Sequence, residues 1–140
     1  MLGVIIMLHI HRIIKVNQDV SIIDKPIVLY KGDHDVIISL SIINQKEKLS
    51  IGFNMIGNDT THAQLVLVSP NTEVVMTNIV ECENGVADFI IGNKLLDEIG
   101  KYSFQIRLYD YDNDSLVTIP KVKDGLVVRE PISYDNFNVL

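Results

Sequence analysis

The chain has 140 residues, 47% of them hydrophobic, a net charge of −6 and a single cysteine. That length supplies one domain and a sizeable core, and the acidic balance with scattered lysines and arginines argues against nucleic acid, which needs a clustered basic footprint. One cysteine excludes an internal disulfide, and the apolar opening Leu2–Leu8 is too short to span a bilayer, so neither a membrane nor a secretory leader is expected.

In chain order, His9 to Val16 reads as a first strand that ends at Asn17-Gln18-Asp19. Pro26 opens a short strand, Ile27 to Tyr30, suited to a sheet edge because proline cannot donate to a ladder. After the turn Lys31-Gly32-Asp33, Val36 to Ile42 alternates with Ile38, Leu40 and Ile42 inward and Ser39 and Ser41 outward. Leu49, Ile51, Phe53 and Met55 keep a period of two, which predicts an interrupted strand with a bulge at Gly52. Gly57 to Thr61 is a loop, and Ala63 to Val68 is a strand closed by the turn Ser69-Pro70-Asn71-Thr72.

Glu73 to Val80 and Val86 to Ile91 form the next two strands, with Asn84-Gly85 as the hairpin signal between them. Asn93 can cap a short helix that places Leu95, Leu96 and Ile99 inward and stops at Gly100, where positive φ suits glycine. From Tyr102 the period returns to two. Tyr102, Phe104, Ile106 and Leu108 share one face, and Ser103, Gln105, Arg107 and Tyr109 the other. Asp110 to Asp114 turns the chain into Leu116–Ile119, and Leu126 to Arg129 is the last strand before Pro131.

This pattern predicts an all-β fold: an immunoglobulin-like two-sheet sandwich of roughly eight or nine short strands with one short corner helix. Residues 1–12 are expected to be an N-terminal strand or extension, 13–132 the sandwich domain and 133–140 a C-terminal tail or linker. Gly100, Tyr102 and Phe104 form the expected structural corner, in which a tyrosine near a strand start bonds back to upstream backbone.

No catalytic constellation emerges, so no enzyme, cofactor or metal is expected. His9 and His11 share a strand face but lack an evident third ligand. Asp110, Asp112 and Asp114 match the first, third and fifth ligands of a calcium loop. Ser115 then stands where the sharp turn needs glycine, and Lys121 where a bidentate glutamate belongs. Cys82 lies between Glu81 and Glu83, whose charges are expected to raise the thiol's pKa and blunt it. No serine sits in a Gly-x-Ser-x-Gly elbow, and no glycine loop could cradle phosphate.

Several stretches in order resemble a known family. They are Ile13 to Val20, Ile27 to Asp33, Ala63 to Val66 before Ser69-Pro70-Asn71, Gly100 to Asp110, and Gly125 to Ile132. Together they are similar to the N-terminal domain of the baseplate upper protein of phages and prophages of Gram-positive hosts. The resemblance implies a structural adaptor of the phage tail baseplate, part of the virion tail and assembled in the bacterial host cytoplasm. Its implied partners are distal-tail proteins on one side and fibre or receptor-binding proteins on the other, with a homo-trimer as the expected multimer. The alternative is a carbohydrate- or surface-binding module of an adhesin, for which Tyr30, Tyr109 and Tyr111 are the candidate contacts.

Overall fold

A computed structural model describes residues 8–17, 19–44, 54–57, 60–92, 96–133 and 138–140. The strand expected over 49–55 with its bulge at Gly52, and the helix cap at Asn93, fall mostly or wholly outside those residues.

Twelve strands follow in chain order among the described residues. They are β1 (Leu8–Asn17), β2 (Val20–Ile23), β3 (Ile27–Tyr30), β4 (Val36–Asn44), β5 (Asn54–Met55), β6 (Thr61–Val68), β7 (Val74–Met76), β8 (Val80–Glu83), β9 (Val86–Ile91), β10 (Gly100–Asp110), β11 (Ser115–Thr118) and β12 (Val122–Arg129). The main ladder runs β2-β1-β4-β9-β8-β6-β10-β12-β3, with β5 on β4, β7 on β6 and β11 on β10.

The all-β class holds, and the immunoglobulin-like two-sheet sandwich does not. Strand β8 pairs with β9 on one side and with β6 on the other, so one continuous ladder replaces two separate sheets. The sheet is also mixed, because β1 runs parallel to β4 and β12 parallel to β3. The two ends of the ladder, β2 and β3, are joined by residues 24–26 alone. The four Cα steps from Ile23 to Ile27 reach roughly 14 Å at most, so the sheet must curl until its ends meet around one core. Strands from both halves supply that core, including Ile14, Ile38, Leu65, Phe89, Tyr102 and Phe104.

The corner helix is corrected as well. Residues 96–99 are not helical, and no helix occurs among the described residues. Gly100 does have positive φ, 135°, but it opens β10 instead of capping a helix. A Cβ there would lie 2.6 Å from Cγ of Pro70, so the close approach of Pro70 is a second reason for glycine.

The expected strand from Glu73 to Val80 is broken at Thr77–Ile79. Thr77 is buried, donates its N–H to the Leu65 carbonyl at 3.0 Å and takes the Leu65 N–H on Oγ1 at 3.0 Å. The side chain thus replaces a ladder rung while the chain steps from β7 to β8. At the β8–β9 hairpin, Asn84 and Gly85 both have positive φ, 51° and 74°, the signs of a type I′ turn.

Candidate docking surface

Two exposed regions stand out from the core. The first is the outer face of β2, β1, β4 and β9. Register places Lys15 opposite Ile22, His9 opposite Ile37, and Ile37 opposite Ile90, so alternate residues of all four strands point away from the core. Ile13, Ile22 and Ile90 are exposed there. Ser39 sits among them, buried, its hydroxyl donating to Asp88 at 2.6 Å. Sequence periodicity placed Ser39 and Ser41 on the solvent face but gave no sign that this face is flanked by so many isoleucines.

The second region is the β10–β11 hairpin. Its outer face carries a ladder of flat side chains. The Arg107 guanidinium carbon lies 5.5 Å from the Tyr109 ring centre. Tyr109 and Tyr111 are nearly parallel, 13° apart with centres at 6.0 Å, and Tyr111 meets His62 at 4.9 Å. Tyr109 also reaches Gln64 through its hydroxyl at 3.5 Å. His62 stands opposite Tyr109 in the β6–β10 register, a proximity that no spacing within either strand reveals. These groups face one another, which is the geometry of mutual packing. Tyr30 belongs to β3, the terminal strand two places from β10, and does not join them.

The inner face of the hairpin holds a depression of about 170 Å³ lined by Ile56, Gly57, Thr61, Leu108, Asp110, Ser115 and Val117. Leu108 is buried, whereas Val117 is 56% exposed. The hairpin therefore extends the apolar inner face past the end of the core. All four residues of β11 are exposed.

The other sequence candidates fall apart from these surfaces. Tyr102 is buried on β10, and its hydroxyl donates to the Glu98 carbonyl at 2.7 Å and accepts the Glu98 N–H at 3.1 Å. Burial pushes its pKa up, the backbone bond to Glu98 pulls it down, and the charges of Glu98, Asp97 and Glu73 raise it further. Phe104 lies in the core, its ring against Gly125, where a Cβ would meet Cε2 at 2.5 Å. There β12 bulges: Tyr102 pairs with Leu126 and Phe104 with Val122, and Ser103 Oγ takes the Asp124 N–H at 3.1 Å.

Cys82 is buried, with a thiol pushed up to about 11 by burial. Desolvation is the cause, and the flanking Glu81 and Glu83 are exposed. His9 and His11 meet edge to face at 5.9 Å. Among the described residues no group of three or more histidine, cysteine or acidic side chains could hold a metal ion. Asp110 spends its carboxylate on Asn113, taking the Nδ2 hydrogen at 2.9 Å and the backbone N–H at 3.4 Å. That is a turn braced by its own side chains.

No family model matches the chain, and no curated protein matches its sequence. Among solved structures it is similar to the N-terminal domain of phage TP901-1 ORF48, with a TM-score of 0.57 at 10% identity. The likeness covers 86% of this chain and 98% of that one. At such identity it shows a shared fold.

Proposed function

We propose that the chain is a structural adaptor of a phage tail baseplate, docking on distal-tail proteins and carrying fibre or receptor-binding parts. One observation carries this reading: the fold matches that of a phage protein's N-terminal domain over nearly the whole of both chains. The sequence resemblance to baseplate upper proteins points the same way. An adaptor also needs contact surfaces in place of a reaction centre, and the exposed isoleucines of the outer face suit burial in an assembly. In this reading the protein has no catalytic role, belongs to the virion tail and works as a homo-trimer.

Light scattering across a concentration series tests the assembly. A stable trimer is the expected result, and a monomer at every concentration would remove self-association from the proposal. Mixing with a distal-tail protein tests docking directly.

A further inference from the structure

We infer that β11 is a strand-acceptor edge: it takes an extended segment of a partner protein, one apolar side chain of which enters the depression on the hairpin's inner face. The inference stands on the hairpin's geometry and does not depend on the phage assignment.

Strand β11 pairs with β10 only, among the described residues. The backbone direction follows from one bond: Ile119 donates its N–H to the Ile106 carbonyl at 2.9 Å. Bonding pairs alternate along an antiparallel ladder. Val117 and Ser115 therefore turn their polar groups toward β10, and Leu116 and Thr118 turn theirs outward. Those outward groups form an open template of N–H and C=O. Natural edges are blunted by shortness, charge, proline or a bulge; Ser115-Leu116-Val117-Thr118 is only four residues long, but it contains neither charge nor proline.

The occupant's chemistry can be read from the surroundings. An added strand alternates its side chains between the two faces, and those on the inner face would fall beside Val117, Ile56 and Leu108. At about 170 Å³ the depression has room for several waters at roughly 30 Å³ each, which an aliphatic group would displace from a largely apolar lining. The flanking charges set which end of the segment is basic. Exposed Asp112 and Asp114 precede β11, and exposed Lys121 follows it. An antiparallel segment, the slightly more stable pairing, would thus carry basic residues near its C-terminal end.

The probe is an acetylated eight-residue peptide of alternating threonine and leucine ending in two lysines, titrated into the ¹⁵N-labelled chain and followed by NMR. The expected result is a saturable shift at Leu116, Val117 and Thr118, with slowed hydrogen exchange at Leu116 and Thr118. N-methylating the peptide along its bonding edge should weaken binding about tenfold, the loss of one or two hydrogen bonds. Thr118→Pro removes an outward N–H without touching the β10 ladder and should do the same. Val117→Lys, at an exposed position, should weaken binding with the remaining spectrum unchanged. The proposal is overturned by no saturable shift up to about 5 mM, a very weak affinity. It is equally overturned by shifts confined to the isoleucine face, by indifference to N-methylation, or by β11 pairing with a second copy of this chain.

Discussion

The Tyr102 hydroxyl bonds both polar groups of a single residue's backbone, donating to the Glu98 carbonyl at 2.7 Å and accepting the Glu98 N–H at 3.1 Å. The ring is 1% exposed, so the bonds fasten the irregular segment 96–99 to the core where a helix would have satisfied its own backbone. Tyr102→Phe keeps the ring and strands both Glu98 groups. The expected loss is about 1–3 kcal/mol of stability, read as a lower urea midpoint with an unchanged slope. An unchanged midpoint would mean that water replaces the hydroxyl.

The same segment depends on Gly100. Gly100→Ala places a Cβ 2.6 Å from Pro70 at a φ of 135°, so steric and backbone costs add. A loss of about 2 kcal/mol or more is expected. Adding Pro70→Ala should restore only the steric part. A double mutant as unstable as the sum of the single changes would show that Pro70 is irrelevant.

Gly125 and Phe104 give a parallel case inside the core. Gly125→Ala forces the Phe104 ring or Val122 to move, since its Cβ would approach them at 2.5 and 2.7 Å. Overpacking of this kind costs about 1–3 kcal/mol, and thermal melts should show it. Phe104→Leu combined with Gly125→Ala should be better tolerated than either change predicts alone.

Cys82 gives a pH dependence whose sign is fixed. Its folded pKa, about 11, exceeds an ordinary value of 9.0, so the native state holds its proton longer than the unfolded state. Stability from this group is therefore intact below about pH 9 and falls as pH rises toward 11. The full drop is on the order of 2–3 kcal/mol. Cys82→Ala should flatten the alkaline arm of a stability-against-pH curve, and the native thiol should react with disulfide reagents only on unfolding at pH 8. Fast labelling of the folded protein would contradict the burial.

Much of the fold was legible because short-range chemistry writes it. Pro26 marked the edge strand at Ile27–Tyr30, Asn84-Gly85 marked the β8–β9 hairpin, and the alternation from Tyr102 to Leu108 marked the core face of β10. Pairing partners were not legible. Period two says which way a side chain points along one strand, and it is silent on whether β1 meets β4 in parallel or whether β8 joins two halves into one ladder. The corner helix failed because Leu95, Leu96 and Ile99 fit a helical face over barely one turn, too short a pattern to outweigh the pull of Tyr102 on Glu98. The aromatic ladder at Tyr109 and Tyr111 was half visible, as two tyrosines. His62 and Arg107 joined it only through the β6–β10 register and the strand's own face.

The adaptor reading is tested most directly by mixing the chain with a baseplate distal-tail protein at tens of micromolar and measuring the mass of what elutes together by light scattering. A co-eluting complex of defined stoichiometry is expected, weakened when Ile22 and Ile90 on the outer face are changed to lysine. Separate elution of the two proteins at every ratio, together with saturable binding of the chain to cell-wall glycans, would contradict it and make this a surface-binding module.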